Sequence, residues 1–146
     1  MFTTEVSLKH YRKEVLDLIE CDDLEVDPLF GDFFHKFNTA QQDVTSIFSC
    51  QGHPDGGYIA FVCNDNGKQA IEEAFDNYFH HALKMMGDYA YQSTLNIEYF
   101  ENFKDEPDKC LVWRFIPFND TEEGITLQKY GISYILDALR KAFDMN

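Results

Sequence analysis

At Val44 the apolar residues change their spacing, and that switch limits the fold more than any other feature of the chain. Before it, Leu8, Tyr11, Val15, Leu18 and Ile19 form one helical stripe, which predicts a helix from about Thr3 to Cys21. Asp27-Pro28 reads as the N-cap and first residue of a short helix through Phe37, rich in Phe30, Phe33, Phe34 and Phe37. After it, Val44 to Cys50 and Tyr58 to Cys63 alternate as short strands around the turn-rich stretch Gln51 to Gly57.

The second half repeats that order. Lys68 to Met86 carries Ile71, Ala74, Phe75, Tyr78, Ala82 and Met86 on one helical face, with Gly87 as a stop. Thr94 to Phe103 and Cys110 to Ile116 alternate as strands, and Thr121 to Phe143 closes the chain as a helix. The expectation is a single α+β domain over residues 1–146: N-terminal helices, then two ββα units whose four antiparallel strands are covered by helices mainly on one face. Hydrophobic types at 45% and aromatics at 16% suffice for a core without disulfide staples.

Charge decides which partners are plausible. With 26 acidic against 12 basic side chains the formal charge is -14, a field that repels phosphate backbones and anionic lipid. Direct nucleic-acid and membrane binding are therefore not expected. No apolar run is long enough to span a bilayer, and Met1 to Glu5 lacks the basic and apolar regions of a signal peptide, so the expected location is cytoplasmic.

One string concentrates reactive side chains. Ser49-Cys50-Gln51-Gly52-His53-Pro54-Asp55 sets a thiol, an imidazole and a carboxylate close together at a strand end, so Cys50, His53 and Asp55 could form a nucleophilic or ligand-binding site. The plainer account is a buried strand cysteine beside turn glycines. If Cys50 pairs with Tyr58, then Cys63 falls opposite Thr45, and at ~3.3 Å per residue the two sulfurs stand on the order of 15 Å apart. That distance excludes a disulfide or shared zinc between them, and no close CxxC occurs elsewhere, so no metal or other cofactor is expected. His80 and His81 are adjacent on a helix and point apart, which suits solvation better than chelation. Arg114 interrupts an apolar strand, and a cross-strand acid, Glu98 or Glu101, is its expected partner.

Two surfaces suggest docking instead. Asp22, Asp23, Glu25 and Asp27 form an acidic connection suited to a basic partner; a calcium loop is ruled out there because Pro28 replaces the turn glycine and Phe34 the bidentate glutamate. On the last helix Leu127, Tyr130, Tyr134 and Ala138 make a second apolar stripe roughly opposite the core stripe of Ile132, Ile135, Leu136 and Leu139. Either Gly131 breaks the helix and dissolves that stripe, or the N-terminal helices or another chain, a homodimer included, cover it.

Ser49-Cys50-Gln51-Gly52-His53, followed by Gly57-Tyr58-Ile59-Ala60-Phe61, resembles a Ser-Cys-x-Gly-His turn and strand in uncharacterised small phage and bacterial proteins. The resemblance implies a phage or mobile-element origin, a host-cytoplasm location and no assigned reaction. The same turn looks like the Ser-Cys-Ser-Gly turn of the wybutosine-synthesis methyltransferase family, although His53 stands where that family has Arg and the net charge does not suit a tRNA enzyme. The favoured expectation is an acidic binding or regulatory protein, such as a phage antagonist or nucleic-acid mimic that masks a basic surface. A small enzyme or ligand-binding domain at Cys50 and His53 is the competing one.

Overall fold

In the computed structural model, which describes residues 1–53, 56–86, 93–116 and 121–145, Thr4 starts the first helix. Its hydroxyl accepts the Ser7 N–H at 3.2 Å and caps α1 (Glu5–Glu20). Leu8 and Val15 are buried as the stripe requires, whereas Leu18 stays largely exposed.

The second helix begins later than the Asp27-Pro28 signal suggests. Both Phe30 and Gly31 donate their N–H to the Asp27 carbonyl, but Gly31 then takes φ +44, a left-handed conformation that ends the turn. α2 therefore runs Phe33–Ala40 with Asp32 at its N-cap. Its phenylalanines are needed where they fall: Phe37 is fully buried and meets Phe33, Phe34, Phe61 and Phe143 with ring centroids 5.0–6.1 Å apart.

β1 (Val44–His53) and β2 (Gly56–Cys63) pair antiparallel, as the alternation implies. The strands extend further than expected, since His53 pairs with Gly56 and absorbs most of the anticipated loop. Gly56 has φ +103, and a Cβ there would lie 2.7 Å from the Phe115 carbonyl oxygen, so only glycine fits. Cys50 does pair with Tyr58, but Cys63 pairs with Val44 rather than Thr45, because the register shifts by one residue between Ser46 and Phe48.

Asn64 accepts the Gly67 N–H at 2.9 Å through its side chain, so α3 (Asp65–Met86) starts before Lys68. β3 (Ser93–Glu101) and β4 (Pro107–Phe115) form the second hairpin, and α4 (Glu122–Ala142) follows with Thr121 as its N-cap. The sheet order is β1-β2-β4-β3, every neighbour antiparallel. The α+β expectation thus holds, with α2, α3 and α4 packing on one face around Phe61, Trp113 and Leu139.

The other face is covered at one end only, by α1. Where β2 and β4 diverge, the buried Thr3 bridges them: its N–H donates to the Cys63 carbonyl at 2.9 Å, its hydroxyl accepts the Cys63 N–H at 3.1 Å, and the hydroxyl donates to the Lys109 carbonyl at 2.8 Å. Nearby, Asp108 accepts the Thr4 N–H and hydroxyl and the Lys109 N–H at 2.9–3.3 Å. Burial alone would raise this carboxyl's pKa, but hydrogen bonds from Ser7, the Lys109 N–H and Thr4 outweigh it and hold the group below its ordinary value. None of the described helices is long and apolar enough to cross a membrane.

Candidate binding surface

The residues named from sequence fall on three parts of the fold: the β1–β2 hairpin, the connection between α1 and α2, and α4. The backbone of Cys50 pairs with Tyr58 and that of His53 with Gly56; their side chains, and Asp55 altogether, lie outside the described residues. Of the other thiols, burial pushes Cys63 up to about 12 and Cys110 up to about 11, so both stay protonated and inert near neutrality, while Cys21 is exposed. Asp22, Asp23 and Glu25 are exposed on the connection between α1 and α2, and Asp27 is half-buried. Glu25 helps line a cleft of about 150 Å³ beside Ile47 and Phe48 on β1.

The second stripe of α4 divides. Gly131 is buried inside an unbroken helix, so no rotation occurs. α3, not the N-terminal helices, covers the stripe: Tyr134 meets the His81 ring at 4.9 Å and Ala138 is buried. Leu127 is half-buried, and Tyr130 remains 59% exposed. His80 and His81 are both exposed, as anticipated.

Arg114 meets its expected acid. Its Nη2 donates to both Glu98 carboxylate oxygens, at 2.9 and 2.8 Å, across the uncovered part of the sheet. Beside this pair lies a cleft of about 360 Å³ lined by Phe48, Tyr58, Phe100 and Val112, with the Arg114 guanidinium 5.7 Å from the Tyr58 ring centroid.

The more telling surface is the β3 edge of the sheet. Strand alternation sends Leu95, Ile97 and Tyr99 toward the helix-covered face, yet α3 does not reach far enough to shield the last two. Ile97 is 50% exposed and Tyr99 73%. A cleft of about 280 Å³ opens there between β3 and α3, floored by Phe75, Leu95, Ile97 and Leu111 and walled by Asp76 and by Glu72 with its ion-pair partner Lys68. Glu98 and Glu101 lie on the strand, and Asp105 and Glu106 follow in its turn. Alternation marked these apolar positions as core, so no local signal could show that they are uncovered. Comparison with protein-family models, with the curated proteins and with the solved structures gives no match for this chain.

Proposed function

We propose that this is a small acidic binding or regulatory protein that docks on a basic partner surface. The observation that carries the reading is the pair of exposed apolar side chains Ile97 and Tyr99, set among Glu98, Glu101, Asp105 and Glu106 on one strand and its turn. Of those acids only Glu98 forms an ion pair among the described residues. Apolar anchors of this kind supply binding energy, and unpaired carboxylates around them accelerate encounter with a cationic surface and select for it. The overall charge of -14 extends the same field over the molecule. Masking the basic surface of a nucleic-acid enzyme, in the manner of a phage antagonist or nucleic-acid mimic, is one concrete form of this activity.

The test is retention of a partner by immobilised protein at low and moderate salt, beside a variant carrying Glu101→Lys, Asp105→Lys and Glu106→Lys. A stoichiometric basic protein should be held at low salt, weaken as salt rises and be lost by the variant. Recovery of no such protein, or retention indifferent to the charge reversal, refutes the reading.

A further inference from the structure

Hydrogen-bond parity shows which backbone groups of β3 are free. In the β3–β4 turn the Asn102 N–H donates to the Glu106 carbonyl at 2.9 Å, which makes these two residues a hydrogen-bonded pair. Antiparallel pairs alternate, so Phe100, Glu98, Asn96 and Thr94 direct their N–H and C=O groups at β4. Glu101 faces Pro107, which has no N–H to give, and this agrees with a non-bonded pair at that position. Thr3 supplies a second check, because its bond to the Lys109 carbonyl places the odd-numbered groups of β4 on the side away from β3. It follows that Leu95, Ile97, Tyr99 and Glu101 turn their N–H and C=O groups outward, where no described strand meets them.

This edge is also regular. β3 pairs with β4 at nine successive positions from Ser93 to Glu101 with no shift, whereas β1 is irregular at two places. A long, unbulged and uncovered edge is a template for another strand. Two of the residues that offer its free backbone groups also expose their side chains: Ile97, which lines the cleft beside Phe75, and Tyr99.

We propose that β3 receives an extended segment of the partner, alternately apolar and basic, as a fifth, antiparallel strand; this rests on the basic-partner reading above and specifies how the partner is held. The incoming apolar residues stand opposite Ile97 and Tyr99 and share their face. The basic residues share the face of Glu98, with Asp105 and Glu106 beyond the strand end drawing them in. A second copy of this chain is a poor occupant, because each copy carries a charge of -14.

The probe is a nine-residue capped peptide of alternating Val and Lys, matched to the length of β3. Two analogues carry backbone N-methyl groups, one on every Val and one on every Lys, and a fourth peptide alternates Val and Glu. Strand addition requires the parent and the Lys-methylated peptide to bind and the Val-methylated peptide to weaken at least about tenfold, since only the Val amides face β3. In the protein, Tyr99→Pro removes one outward N–H without touching the inner ladder. It should weaken the parent peptide further than Tyr99→Ala does, with both variants checked for a wild-type melting transition. If the two methylated peptides bind alike, strand addition is wrong while the basic-partner reading stands. If the Val–Lys peptide binds no better than the Val–Glu peptide, both readings fall. Concentration-dependent dimerisation abolished by Tyr99→Pro would assign the edge to a second copy and overturn the proposal.

Discussion

The two edges of the sheet are finished in opposite ways. On the β1 side the buried Asn38 of α2 accepts the Ser46 N–H at 2.8 Å and donates to the Ser46 hydroxyl at 2.9 Å, so a side chain takes a backbone group that another strand could use. Arg12 of α1 reinforces this by donating to the carbonyls of Asn38 and Gln41. The register shift near Ile47 interrupts the edge further, and the Leu24–Val26 segment lies beside it across a cleft, although Phe48 stays 64% exposed. On the β3 side there is no bulge, no capping side chain among the described residues and only partial cover from α3. Stability is therefore invested along β1 and availability along β3, as expected where one edge is structural and the other meets a partner.

The strongest way to break the contrast is to loosen the helix that closes β1. Phe37→Ala leaves a void among Phe33, Phe34, Phe61 and Phe143 and should cost about 3–5 kcal/mol in urea unfolding. A smaller effect comes from the end of the second hairpin. Asp108→Ala strips an acceptor from Thr4 and the Lys109 N–H and should cost about 1.5–3 kcal/mol near neutral pH. Because the folded carboxyl titrates below its unfolded value, its stabilisation is complete above the ordinary Asp pKa of about 3.9 and disappears as pH falls through the lower folded pKa. Unfolding measured along that acid range should show the wild type and Asp108→Ala converging; parallel curves would deny the carboxylate its role. The smallest effect belongs to Glu98→Gln, which breaks the solvent-screened pair with Arg114 and should change stability by less than about 1 kcal/mol. If that substitution nonetheless weakens the Val–Lys peptide, the face assigned to the incoming basic residues is sharpened.

Much of this architecture could be read before any coordinates. Most of the α1 stripe and both hairpins follow from alternation and helical spacing, as does a cross-strand acid for Arg114, while the choice of Glu98 over Glu101 came from the structure. The Asp27-Pro28 signal places the start of α2 too early, because nothing local shows that Gly31 takes the left-handed conformation that ends the turn. The second stripe of α4 was ambiguous for a different reason: Tyr130 and Tyr134 look alike on a helical projection, but only Tyr134 finds His81 of α3 against it.

The chain by itself determined which segments become helices and strands, that consecutive strands form antiparallel hairpins, and that its charge is strongly negative, because these depend on neighbours a few residues away or on a sum over side chains. Tertiary structure alone decided that β2 lies beside β4, that α1 crosses to the otherwise open face and that β3 is left as a bare edge. Such choices rest on contacts between residues separated by as much as 106 positions, as between Thr3 and Lys109, and an alternating strand is equally suited to the middle of a sheet or to its rim.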